Sequence, residues 1–340
     1  FDEPDISLNG AQLAYQNARV LFSEGRRNDF SREVPAPIEL DSLQNALPRD
    51  VGVLVGNTGF PEIKTQMISR QGVKTTSTLM TDKQMQSTLD EVVEAMKNFG
   101  PIDSPLKQIG EGLLRGAQDW LASGRHLVLV LPEDYTAIPV AALPFNSKPL
   151  IHQVTVSTTA SATLIFQSLQ KAKAPSPQKI VGLAPASDLP FSKLELAQIQ
   201  NTEIPPEGVF SEPFEALHLA GHVRNTGRAS FDLGNQTEIN SQNILNAAHI
   251  PNLVTLSACE GLQKSSFLSL ADSFMLRGTQ TVVAHAHRVS DLAAAIFMKH
   301  FYRNLKEGKS RALQVAAQKT QQYFPHPAHW AGFQLIGDFR

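Results

Sequence analysis

Two residues in this chain pair a reactive side chain with a position from which it can act: His222 and Cys259. Each closes a short apolar run. The first reads Phe214-Glu215-Ala216-Leu217-His218-Leu219-Ala220-Gly221-His222, and the second Asn252-Leu253-Val254-Thr255-Leu256-Ser257-Ala258-Cys259-Glu260-Gly261. Cys259 is the only cysteine. A thiol attacks as its thiolate, and a neutral imidazole within hydrogen-bond reach can generate that form near neutral pH. A strand that stops at a histidine beside one that stops at a lone cysteine therefore reads as a nucleophile–base pair. The amides of Val223 and Cys259, expected in loops leaving adjacent strands, are candidate oxyanion donors. The competing reading of Cys259 is a buried, inert thiol. Its place at a strand end, where a side chain reaches a cleft, favours the nucleophile.

The remaining histidines and acids carry weaker signals. His218, inside the first run, reads as a structural histidine hydrogen-bonded within the sheet. The rival is a metal site built from His218, His222, His285 and His287, since His-x-His on a strand points both imidazoles to one face. No carboxylate stands at obvious ligand spacing, so no metal and no cofactor are expected. Glu133, Asp134, Asp188, Glu260 and Asp291 follow predicted strand ends, where an acid can read a substrate or simply cap a helix. Asp291 directly precedes a long helical pattern. Trp330 and Phe333 read as core.

These groups need strands to aim them. A continuous apolar run at 127–131 predicts a strand buried on both faces, and further strands are expected at 151–156, 179–184, 253–259 and 280–285. Helical patterns at 160–170, 192–200, 242–248, 267–277, 291–307 and 310–323 alternate with them, and a last strand is expected at 332–337. Such alternation predicts an α/β fold with a mostly parallel sheet flanked by helices, whose ligands gather beyond the carboxyl ends of the strands. Upstream, 39–124 reads as an α/β lobe of its own: a short helix, a strand at 51–55, a hairpin turning at Gln71-Gly72, and helices over 81–97 and 105–123. Residues 1–38 read as a helix and a Pro-containing linker. With Phe1 first, they suggest the end of a longer upstream region. The core proper is expected over 125–340.

Composition bounds the function. The chain has 340 residues, 42% hydrophobic and 18% charged, so a large core is affordable. A formal net charge of −2 gives no argument for nucleic acid or an anionic membrane. No apolar run is long enough to span a bilayer. A single cysteine fits a reducing, cytoplasmic setting. No Gly-Lys-Ser/Thr phosphate loop is present, so nucleotide binding has no support.

The two runs, ending in His-Leu-Ala-Gly-His and Leu-Ser-Ala-Cys-Glu, resemble the CHAT domain, a family grouped with caspases, separases and related His/Cys peptidases. The likeness extends through Leu129-Val130-Leu131-Pro132-Glu133 to Ile138-Pro139-Val140-Ala141-Ala142-Leu143, Val156-Ser157 to Ser161-Ala162, Ala271 to Val283, Tyr302 to Leu313, and His326 to Phe333, roughly from Leu40 to Gly337. It implies a caspase-like fold with a pseudo-caspase-like lobe at 39–124. It also implies a cysteine endopeptidase acting on a protein substrate, with Cys259 as nucleophile, His222 as base, and Val223 and Cys259 as oxyanion donors. Family members are often fused to tetratricopeptide or other sensor modules. By the same resemblance Asp291, in His287-Arg288-Val289-Ser290-Asp291, is the candidate for substrate binding, with Glu260 and Asp188 beside it. Two residues depart from the family pattern. Val223 stands where glycine usually follows the histidine, and His287 replaces a tryptophan. Valine resists backbone angles that glycine permits, so the alternative is an inactive pseudoprotease serving as a signalling or binding module.

Overall fold

The apolar runs form strands, and helices, four of those described with side-chain N-caps, carry the chain between them. The computed structural model describes residues 38–340 apart from 59–62, 79, 133–134, 185–190, 200, 203–207, 227, 235–236 and 260–268. The helix and linker expected at 1–37, and Glu133, Asp134, Asp188 and Glu260, lie outside the described residues. The first part comprises α1 (Leu40–Ala46), β1 (Val51–Thr58), β2 (Ile63–Ser69), β3 (Gly72–Ser77), α2 (Asp82–Asn98), α3 (Asp103–Leu113) and α4 (Gln118–Leu121). A reciprocal capping box between Thr81 and Gln84 starts α2. The single helix expected over 105–123 is broken by a 3₁₀ turn at Arg115–Ala117.

The second part continues with β4 (His126–Val130), a small hairpin of β5 (Pro144–Phe145) and β6 (Lys148–Pro149), β7 (Thr155–Thr159), α5 (Ala162–Gln170), β8 (Ile180–Leu183), α6 (Ser192–Gln198) and β9 (Asn201–Thr202). Then come β10 (Ala216–Thr226), β11 (Arg228–Gly234), β12 (Thr237–Asn240), α7 (Ser241–Leu245), β13 (Leu253–Cys259), α8 (Leu270–Arg277), β14 (Thr281–His285), α9 (Asp291–Asn304), α10 (Lys309–Tyr323) and β15 (Phe333–Gly337). A capping box of Ser269 with Asp272 opens α8, and Gly278 closes it at φ 118°, a conformation that favours glycine.

Among the described residues, thirteen strands form one mixed, mostly parallel sheet, ordered β12-β11-β10-β13-β14-β15-β7-β4-β1-β2-β3, with β8 beside β10 and β9 beside β8. The strands of 39–124 join those of 125–340 through the parallel pair β1–β4. The central strands β4 and β14 are buried at every residue, their apolar middles flanked by His126, Thr281 and His285. Side-chain alternation splits the core by sheet face. Leu217, Leu219, Val254, Leu256, Val282 and Ala284 pack with Leu270 and Phe274 of α8. Ala216, Leu253 and Val283 pack instead with Phe297, Met298 and Phe301 of α9.

Candidate active site

His222 and Cys259 stand side by side. Strands β10 and β13 run parallel in the register Ala216↔Leu253 to His222↔Cys259, so the two residues form the last pair of that ladder. Neighbouring strands lie about 4.8 Å apart, which brings the two backbone positions within side-chain reach of one another. The His222 side chain is exposed. An accessible imidazole beside the only cysteine is the arrangement that activation of a thiol requires.

The surroundings differ from the sequence expectation. The first run does not stop at His222, because β10 continues to Thr226 and pairs antiparallel with β11. Its outer edge changes partner on the way, from β8 at Ala216–Leu219 to β11 from His222 onward. His222 is thus at once the neighbour of Cys259 on β13 and of Asp232 on β11. Arg224, two residues on, forms an ion pair with Asp232. Val223 and Cys259 are not in loops. Val223 lies within β10 opposite Phe231, packed against the α8-side core, and Cys259 is the final residue of β13. The missed extension had a signal: Ala229, Phe231 and Leu233 alternate with polar residues, and all three are buried.

Beneath the pair lies a buried polar network. His218 is fully buried; its Nδ1 lies 2.7 Å from Thr255 Oγ1, and its Nε2 lies 3.0 Å from Glu195 Oε2. The Tyr302 hydroxyl lies 2.7 Å from Thr255 Oγ1 and 3.2 Å from His218 Nδ1. Burial, opposed by the Thr255 hydrogen bond and aided by the Glu195 charge, raises the Tyr302 pKa far above its ordinary value and keeps the phenol protonated. The network ties α6, β10, β13 and α9 together four residues before His222 and Cys259 on their own strands. The reading of His218 as a structural histidine agrees with these contacts. Glu195 and Tyr302 were missed, because Glu195 sits between Leu194 and Leu196 and looks solvent-facing. In the fold Glu195 is 2% exposed while Leu194 is 47% exposed.

The other predicted residues have hydrogen-bond partners of their own. Asp291 opens α9, and its Oδ2 accepts the Phe191 amide at 2.9 Å, holding the entry to α6 against α9. His285 and His287 turn to backbone carbonyls: His285 Nδ1 lies 2.6 Å from that of His287, and His287 Nε2 lies 2.8 Å from that of Ala137. Burial first, then the neighbouring His287, lowers the His285 pKa to about 3. Its ring packs on Gly332, where a Cβ would stand 2.3 Å from His285 Cε1, so only glycine fits. Among the described residues no group of three or more His, Cys, Asp or Glu is arranged to hold a metal ion. None of their helices is long and apolar enough to cross a membrane.

Comparison with known proteins fits this geometry. The family model of the CHAT domain matches residues 103–338. The chain belongs to the CHAT domain family. The match begins after β1–β3 and α2, later than the Leu40 expected from the motifs. No curated protein matches this CHAT domain in sequence. Among solved structures it is similar to the Saccharomyces cerevisiae separase–securin complex, with a TM-score of 0.68 at 10% identity over 98% of this chain and 33% of that one. A second structure of that complex gives 0.65 at 10% identity over 87% and 30%. The complex of Porphyromonas gingivalis RgpB pro- and mature domains gives 0.50 at 11% identity over 76% of each chain. This CHAT domain therefore has a caspase-like fold, and it spans about a third of the length of the separase chains it matches.

Proposed function

We propose that this CHAT domain is a cysteine endopeptidase that cleaves a protein substrate through Cys259 and His222, under the control of fused or partner sensor modules of the tetratricopeptide kind. The observation that carries the reading is the register pairing of an exposed histidine with the only cysteine at the end of a parallel ladder. In this mechanism His222 takes the thiol proton as the sulfur attacks the scissile carbonyl. The resulting oxyanion is held by amides, for which Val223 and Cys259 are the candidates. His222 then passes its proton to the leaving amine as the C–N bond breaks, leaving a thioacyl-enzyme. Water attacks the thioester with His222 again taking a proton, releasing the acid and restoring the thiol. Asp291, at the head of α9 on the sheet face that carries His218, is the candidate for reading a basic substrate residue, with Glu260 and Asp188 as further acids. The lone thiol suits a reducing, cytoplasmic setting.

One observation favours a second reading. Val223 stands inside the β10–β11 ladder opposite Phe231, a setting that constrains its amide more than a loop would. An inactive CHAT pseudoprotease, acting as a signalling or binding module, would tolerate that. Cleavage of candidate partner proteins by wild type and Cys259→Ala separates the two. The endopeptidase reading expects cleavage by wild type alone, and equal behaviour of both proteins on every candidate ends it.

A further inference from the structure

The row that holds His222 and Cys259 has a third member. His222 is the direct register partner of Cys259 on one side and of Asp232 on the other, so Asp232, His222 and Cys259 occupy one line across β11, β10 and β13. Directly opposed residues of an antiparallel pair project to the same sheet face, with Cβ atoms about 4.5–5.5 Å apart. The ion pair of Asp232 with Arg224 confirms that shared face. Arg224 lies two residues beyond His222 on β10, hence on the same face, and it meets Asp232 along the longer diagonal. With opposed Cβ atoms that close, the Asp232 carboxylate and the His222 ring can meet on that face. Two oxygens with about four lone-pair sites allow Asp232 to serve an imidazole and a guanidinium together.

We propose that Asp232 is a positioning residue for His222. Its carboxylate accepts the N–H of one imidazole nitrogen, which fixes the tautomer and turns the other, unprotonated nitrogen toward Cys259. The imidazolium formed when the thiol gives up its proton is then held by an adjacent negative charge. A base oriented by a third group is the general logic of activated nucleophiles. The proposal rests on the dyad reading given above. It also assigns a role to the β11–β12 extension: β11 brings an acid to the side of His222 away from Cys259. Arg224, the ion-pair partner of that acid, is exposed itself, at 64% of its side-chain surface against 23% for Asp232.

The test uses the rate at which Cys259 is alkylated by iodoacetamide at neutral pH, read by intact mass, in the whole chain. An ion pair with a mostly exposed arginine contributes little to stability, so Asp232→Asn is expected to keep the wild-type unfolding midpoint. Asp232→Asn should slow alkylation at least 10-fold. Asp232→Glu, which retains the carboxylate, should stay within about threefold of wild type, as should Arg224→Gln, which breaks only the ion pair. Equal rates in wild type and Asp232→Asn overturn the proposal, and so does an Arg224→Gln variant as slow as Asp232→Asn, since the ion pair would then be the cause. A His222→Ala control separates the two levels. If it is slow while Asp232→Asn is fast, the dyad stands and Asp232 does not; if it is as fast as wild type, the dyad itself has failed.

Discussion

Replacing His218 with leucine isolates the network beneath the dyad. Leucine restores much of the volume but leaves the Glu195 carboxylate, 2% exposed, without the imidazole that stands 3.0 Å from it. Removing one partner of a buried, hydrogen-bonded pair costs about 3–5 kcal/mol, because the remaining group has neither water nor a counterpart. On a chain of this size, that lowers the thermal midpoint by about 4–7 °C. Replacing both members with apolar residues strands no charge, so His218→Leu/Glu195→Leu should return to within about 2 kcal/mol of wild type. The assay is urea unfolding of wild type, both single variants and the double, read as a double-mutant cycle. A coupling energy of at least about 2 kcal/mol is expected between these touching residues. A His218→Leu variant that loses less than about 1 kcal/mol, or strict additivity in the double, would refute the claim that this pair ties α6 to the strands bearing the dyad.

Acid should weaken the fold for a stated reason. His126 and His285 are buried and have pKa values of about 3, lowered chiefly by burial, against about 6.5 for an ordinary histidine. The unfolded chain binds protons at these sites below about pH 6.5 while the folded chain does not until near pH 3, so stability falls as pH drops through that window. At pH 5 the two sites together amount to a loss of about 4 kcal/mol relative to pH 7.5, readable as urea midpoints; a loss under about 1 kcal/mol contradicts the assignment. Gly332→Ala should cost about 1–3 kcal/mol in the same assay, because its Cβ would stand 2.3 Å from a His285 ring that is itself buried against Phe333. An unchanged midpoint would mean that the ring has room to move. Tyr302→Phe removes one hydroxyl from Thr255 and His218, which keep their bond to each other, so a loss of about 1 kcal/mol is expected, and a loss above about 3 kcal/mol would assign Tyr302 a larger role.

How much of this was legible in the sequence follows from burial. Strands enclosed on both faces are written in apolar residues, as in the unbroken run of 127–131, and the fold class followed from them. The meander of β10 to β12 has one exposed face. Arg224, Asn225 and Thr226 therefore read as a connection, although Ala229, Phe231, Leu233 and Ile239 mark a buried face at period two. The expected strand at 151–156 became a 3₁₀ turn at Leu150–His152 followed by β7, and the Ile151 carbonyl accepts the side-chain amides of Gln314 and Gln318 of α10. That partner lies far along the chain and leaves no local mark. At the site, the positions of His222 and Cys259 on adjacent strands were readable from two terminal residues of two runs. Glu195 was not, since its surroundings in sequence look like those of a solvated charge, and only the tertiary contact with His218 explains its burial.

The central claim is that His222 activates Cys259. Because the chain has one cysteine, alkylation by iodoacetamide reports on that residue alone. Wild type should react at neutral pH at least about 10-fold faster than an ordinary free thiol, whose thiolate is a few per cent populated, and His222→Ala should return to the free-thiol rate with the fold intact. A Cys259 that reacts no faster than a free thiol, or at the same rate with and without His222, would contradict the account.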